Sequence, residues 1–178
     1  MKKTDLALSM ILTVALCGLA IATSPWAQVA LADDPRVDRE AQRRTMAEIR
    51  NVGTAMFSWL TDQVGAAAAG KSEKPVPPPV DLADYPEISH DELATLLVPM
   101  YLEELPELDG WDSPYEINLN TANPLAQKVM SIRSPGRDGV FSDTVYTVTA
   151  FDAESFDEDI VWADGFFIRW PQKQPADR

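Results

Sequence analysis

The chain has 178 residues and a formal net charge of −13, made up of 28 acidic and 15 basic residues. The first 32 residues contribute +1, which leaves −14 for residues 33–178. A surface of this charge repels phosphate backbones and anionic membranes, which argues against nucleic-acid binding and favours cations or a basic partner. The only cysteine, Cys17, lies in the N-terminal apolar run, so the rest of the chain has neither a disulfide nor a thiolate metal site.

The N-terminus has the three-part order of a secretory signal, with Lys2 and Lys3 before an apolar run over residues 6–22. Small residues around Ala32 suit a cleavage site. We therefore expect residues 1–32 to be a signal peptide cleaved after Ala32, which places the remainder in the periplasm or otherwise outside the cytoplasm.

Two alternatives remain for this segment. The apolar run of 17 residues is at the lower limit for a membrane-spanning helix, so residues 6–22 could instead be an uncleaved inner-membrane anchor. A lipid anchor on Cys17 is less favoured, because Leu16 stands where a lipoprotein signal needs a small residue.

Residues 33–65 are predicted to form one long helix. Asp33 and Asp34 supply a cap, and Pro35 suits the first helical turn. Apolar residues then recur every three or four positions, which is typical of a helix with one buried stripe. The stripe consists of Ile49, Val52, Met56, Leu60 and Val64.

Residues 66–87 are rich in alanine and proline, which argues against a continuous helix or an inner strand and predicts an exposed, partly extended loop. Ser89 and Glu92 form a capping-box pattern, which predicts a short helix that ends before Pro99. The only histidine, His90, falls in the first turn of this helix, and we expect it to be exposed to solvent.

Strand patterns occupy the later part of the range 88–171, and the polar tail is predicted over residues 172–178. The clearest signal is Asp164-Gly165 between two apolar runs, which predicts a hairpin. The expected fold is α+β, with the long helix packed on a small antiparallel β-sheet. We expect five aromatic residues to be sheet core beneath the helix rather than a ligand platform: Trp111, Trp162, Phe166, Phe167 and Trp170.

Several segments together resemble the globular part of the major pseudopilins (protein G) of type II secretion. They are RTMAEIRNVGTAM at residues 44–56, LLVPMYL at 96–102, DGWDSPY at 109–115, IRSPGRDG at 132–139 and FDEDI at 156–160. The resemblance covers roughly residues 40–64 and 88–171, and it implies a pilin-like fold. It also implies partners among the proteins of a secretion or envelope apparatus, including self-association.

In that family a long loop of the sheet binds calcium. The resemblance therefore implies a Ca²⁺ site here, with Asp157 and Asp159 as the first candidate ligands and Ser134 and Asp138 as the second. Calcium prefers several carboxylate and carbonyl oxygens, which this loop offers. The alternative is that these are ordinary turn residues, because Ser, Asp and Gly are common in loops.

The N-terminus departs from the prepilin pattern, since neither phenylalanine nor glutamate stands at the expected positions after Gly18. Two hypotheses follow: an assembly or binding protein of a secretion or pilus-like system, or a stand-alone periplasmic scaffold with a pilin fold. An enzyme is the third class, because paired aspartates can divide acid and base roles. We expect no catalytic activity, since no nucleophile motif, phosphate-binding loop or histidine pair accompanies them.

Overall fold

A computed structural model describes residues 34–65 and 79–173, so the predictions for residues 1–32, including the anchor at 6–22, lie outside the described residues. Residues 66–78, which are most of the loop predicted over residues 66–87, and residues 174–178 of the predicted tail also lie outside the described residues. The helices are α1 (Pro35–Val64) and α2 (His90–Leu97). The strands are β1 (Val80–Asp81), β2 (Glu116–Leu119), β3 (Met130–Ser134), β4 (Val145–Tyr146), β5 (Thr149–Asp152), β6 (Ile160–Ala163) and β7 (Phe166–Gln172).

Helix α1 has the capping that the sequence predicts. The side chain of Asp34 accepts a hydrogen bond from the backbone N–H of Arg36 at 2.9 Å, and Pro35 begins the helix. Residues at three- and four-residue spacing, from Ala41 through Ile49 to Leu60, are buried along one face. No helix among residues 34–65 and 79–173 is long and apolar enough to cross a membrane.

The sheet beneath α1 has five strands in the order β2-β3-β6-β7-β5. Neighbouring strands are antiparallel except at one edge, where β5 pairs with β7 in parallel, with Thr149 opposite Arg169. The prediction of a small, wholly antiparallel sheet is therefore wrong at this edge, and the sheet is larger than expected. The predicted hairpin between β6 and β7 is confirmed, with Asp164 at φ 43° and Gly165 at φ 102° in its turn.

Both faces of the sheet are covered. Ile160 and Trp162 of β6 belong to the main core under α1, where the ring of Trp162 packs edge-to-face on Phe57 at 5.9 Å. Val161 and Ala163 point to the other face and join a second apolar cluster. Because a strand alternates its side chains between faces, all four residues of β6 are buried.

The second cluster corrects the prediction of an exposed loop at its C-terminal end. Residues 80–81 form β1, which pairs with β4, and Val80, Leu82 and Tyr85 are almost fully buried. They pack with Tyr146 and Ile168 on the face of the sheet away from α1. The proline-rich composition of the range does not show this, because only three apolar side chains between Pro79 and Pro86 supply the contact.

Helix α2 and the aromatic residues test the remaining predictions for the described part of the chain. The capping box of Ser89 and Glu92 is present at α2, and His90 is exposed, with its Nε2 atom 3.3 Å from the carbonyl oxygen of Leu105. Trp162 is core, while Trp111 and Phe167 are partly buried against the core. Phe166 and Trp170 are half-buried. Strand β7 continues through Pro171 to Gln172, one residue into the predicted tail.

A tight corner at Asp109-Gly110-Trp111 packs directly on α1. A Cβ atom built on Gly110 would lie 2.1 Å from the carbonyl oxygen of Ala41, so only glycine allows this approach. The N–H of Gly110 donates to Thr45 Oγ1 at 2.8 Å, and Trp111 Nε1 donates to Asp38 at 3.0 Å. The corner is thereby held to the helix by both shape and hydrogen bonds.

We expect Gly110→Ala to lower the free energy of unfolding by about 4 kcal/mol or more, because the clash is with helix backbone that cannot rotate away. Gly65→Ala is the matched control, since nothing lies within 4 Å of a Cβ there and only its positive φ of 63° opposes the change. The control should cost about 2 kcal/mol, because a φ of 63° with a ψ of −156° is a conformation that only glycine adopts readily. Chemical denaturation of both variants measures this, and equal losses would contradict the close approach.

Candidate functional site

The four residues predicted as calcium ligands lie in the long connection between β3 and β6. Ser134 is the last residue of β3, Asp138 lies in the turn after it, and Asp157 and Asp159 precede β6. Ser134 pairs with Ile160 across the two strands, so both ends of the connection are held side by side. The connection is therefore a closed loop with its ends anchored in the middle of the sheet.

Asp157 forms an ion pair with Arg137. The guanidinium donates from Nε to Oδ1 at 2.8 Å and from Nη2 to Oδ2 at 2.9 Å, a two-point contact. These hydrogen bonds lower the pKa of the Asp157 carboxyl, although the pair is largely exposed. Nη1 of the same arginine lies 3.3 Å from the carboxylate of Asp38, so Arg137 connects the loop to α1.

Asp159 is fully buried and accepts hydrogen bonds on one carboxylate oxygen only. Oδ2 accepts from the backbone N–H of Ser142 at 3.0 Å, from its hydroxyl at 2.7 Å and from the hydroxyl of Tyr146 at 2.6 Å. Within the described part of the chain, Oδ1 is buried with no hydrogen-bond partner. Burial and the hydrogen bond to Asp159 raise the pKa of Tyr146, so its hydroxyl stays protonated and donates.

Positive charge near this carboxylate comes from Arg133, which is 6% exposed. Its Nη1 atom lies 3.0 Å from the hydroxyl of Tyr146 and 2.6 Å from the carbonyl oxygen of Asp143. Nε and Nη2 donate to the two carboxylate oxygens of Glu116 at 2.9 and 2.7 Å. A buried cation is thus connected to Asp159 through one hydroxyl group, which offsets part of the cost of burying the carboxylate.

Ser134 and Asp138 are engaged elsewhere. The hydroxyl of Ser134 donates to Oδ2 of the buried Asp109 at 2.5 Å, and Oδ1 of Asp109 accepts from the backbone N–H groups of Trp111 and Ser113. Oδ1 of Asp138 accepts from the N–H of Val140 at 3.0 Å in an exposed turn. These two predicted ligands therefore serve the tight corner and a local turn.

The structure does not gather the predicted residues into one set of ligands. Among residues 34–65 and 79–173, no group of three or more His, Cys, Asp or Glu side chains is placed to hold a metal ion. The open oxygen of Asp159 is the atom of the predicted set that fits a cation. A calcium ion there would take its other ligands from backbone carbonyl groups and water.

Sequence reasoning missed the residues that organise this loop. Asp109, Arg133 and Arg137 form its strongest polar contacts, and all three lie within or beside segments that carry the resemblance. Their partners are 17 to 25 residues away in sequence, so local spacing does not reveal the pairs. The signal that could have identified Arg133 is a charged residue in an otherwise apolar strand, which needs a partner when buried.

No protein-family model, no curated protein and no solved structure matches the chain.

The two predicted first ligands should differ sharply in their effect on stability. We expect Asp159→Ala to lower the free energy of unfolding by about 3 kcal/mol, because it empties a fully buried position and removes the acceptor that the hydroxyl groups of Tyr146 and Ser142 share. Asp157→Ala is the matched control and should cost about 1 kcal/mol or less, since its ion pair is exposed. Urea denaturation of both variants measures the difference, and a larger loss for Asp157→Ala would contradict the assignment.

Proposed function

We propose that the chain is an exported, pseudopilin-like protein that assembles with or binds other proteins of a type II secretion or related pilus-like apparatus. The observation that supports this is the meeting of the segments that carry the resemblance. Arg44 of the first segment donates to the carbonyl oxygen of Asp109, Ser134 donates to the carboxylate of Asp109, and Arg137 pairs with Asp157. The proposal assigns the chain no reaction, and its partners are proteins of the envelope, including further copies of itself.

The segments that carry the resemblance are far apart in sequence, so their contacts depend on the fold. Residues 44–56, 109–115, 132–139 and 156–160 meet at one end of α1, and Leu97 of the remaining segment lies in the core under the same helix. Their convergence supports a shared architecture of a helix on a sheet closed by a long loop.

A stand-alone periplasmic scaffold with the same fold is the second candidate. The sequence after Gly18, which lacks the prepilin pattern, favours it. The two candidates share the domain and differ in whether residues 1–32 remain attached.

Cell fractionation with N-terminal sequencing separates these candidates. For the assembly protein we expect recovery in the membrane fraction, with crosslinks to apparatus proteins or to other copies of the chain. A photo-crosslinker at Met100, which is 79% exposed, reports such contacts, and one at the buried Met56 is the matched control. A soluble protein that begins at Asp33 and forms no crosslinks would instead favour the stand-alone scaffold.

Calcium binding belongs to the same proposal, and the buried, unpartnered Oδ1 of Asp159 is the observation that favours it. An ion there would supply the missing contact to this oxygen and hold the loop against β6. Asp157 is less suited to the role, because Arg137 already occupies both of its oxygens.

We expect the melting temperature to be several degrees higher in excess calcium than in chelator. Free calcium at about 100 times its dissociation constant adds about 2.7 kcal/mol to the free energy of unfolding. Asp159→Asn should abolish the shift and Asp157→Asn should retain most of it. Calorimetry measures this, and identical melting curves with and without calcium would contradict calcium binding while leaving the assembly role to the crosslinking test.

A further inference from the structure

A cavity of about 400 Å³ lies between the first half of α1 and the end of the sheet where the parallel strands β5 and β7 both finish. Its charged and polar lining residues are Arg39, Gln42, Arg43, Asp152, Glu154 and Lys173. None of the residues that line the cavity forms a hydrogen bond with Asp159. Three of these six side chains are cationic, in a chain whose net charge is −13.

The cationic groups are not equally engaged. Arg39 donates to the carboxylate of Glu154 at 2.8 Å, so these two charges form an ion pair on one side of the cavity. Arg43 lies 3.7 Å from Glu40 of its own helix, and both side chains are about three-quarters exposed, which makes a weak contact. Within the described residues, Lys173 forms no ion pair. Oδ1 of Asp152 accepts from the backbone N–H of Glu154 at 2.9 Å. Once Arg39 and Glu154 are paired, the lining keeps the two cations Arg43 and Lys173 against this one carboxylate, so its remaining charge is positive.

Gln42 supplies an independent observation. The residue is only 6% exposed, and within residues 34–65 and 79–173 its Nε2 atom is buried without a hydrogen-bond partner. Buried amide nitrogens almost always have an acceptor, since leaving one unpaired is unfavourable. The missing partner of Gln42 is an acceptor, and Gln42 lines the cavity that the two cations share.

We propose that this cavity binds a carboxylate group, which pairs with Arg43 and Lys173 and accepts a hydrogen bond from the side-chain amide of Gln42. A carboxylate has two oxygens that accept from several donors at once, which suits two cations and one amide. The cavity volume suits a small carboxylic acid or the end of a peptide chain. Both ligands present a carboxylate group to the cavity. The proposal does not depend on a role of the chain in secretion.

The test uses the isotope-labelled exported chain, with binding followed by nuclear magnetic resonance at about 0.15 M salt, where weak surface attraction is screened. The probes are citrate, an N-acetylated glycine-serine hexapeptide with a free C-terminal carboxylate, and the same peptide with an amidated C-terminus. We expect saturable shifts at the side-chain amide of Gln42 and at Lys173. Binding of citrate alone identifies a free acid as the source, and binding of the free-carboxylate peptide identifies a chain end.

Variants locate the site. Gln42→Leu and Arg43→Gln should each weaken binding about tenfold or more, since each removes a donor to a charged group. Arg36→Gln is the control, because it makes the same charge change on an exposed position of the same helix that does not line the cavity. Melting curves show that each variant is folded. No shift with any probe, equal binding of the amidated peptide, or an equal loss in Arg36→Gln would overturn the proposal.

Discussion

The backbone of Gly110 lies against the backbone of Ala41 in the long helix, and the other polar contacts of this end of the molecule are built around that approach. It brings the N–H of Gly110 to Thr45 and the indole of Trp111 to Asp38. It also positions the carboxylate of Asp109. One oxygen accepts a hydrogen bond from the N–H of Trp111 in the same turn, and the other accepts one from the hydroxyl of Ser134 at the end of β3. A residue without a side chain therefore determines how the helix, the corner and the sheet meet.

The carboxylates of the loop before β6 already have hydrogen-bond donors within the protein. Asp157 is neutralised by Arg137, and Asp143 accepts from the N–H groups of Thr144 and Val145, which lowers the pKa of its carboxyl. Asp159 is buried against Tyr146, which in turn contacts Arg133. A high density of aspartates in a loop is thus compatible with local hydrogen bonding as well as with a cation site.

Local signals in the sequence predicted the elements whose causes are local. The cap at Asp34, the box of Ser89 and Glu92, and the Asp164-Gly165 turn each act within a few residues, and each is present. The parallel pairing of β5 with β7 and the burial of Val80 depend on contacts across 20 to 66 residues, which no periodicity reports. For the candidate site, spacing and resemblance indicated Asp159 as a possible ligand but did not indicate the role of Arg137, because an ion pair between distant residues leaves no pattern in either segment.

The strand order has a consequence for when the domain can fold. Strand β7 lies between β6 and β5, and it follows every other described strand along the chain. Strand β5 consequently has no neighbour in the five-stranded sheet until residues 166–172 have been synthesised and have inserted beside it. The earlier strands leave the ribosome with an open hydrogen-bonding edge and an incomplete core. The five-stranded sheet and the core beneath α1 are therefore completed only when residues 166–172 are in place.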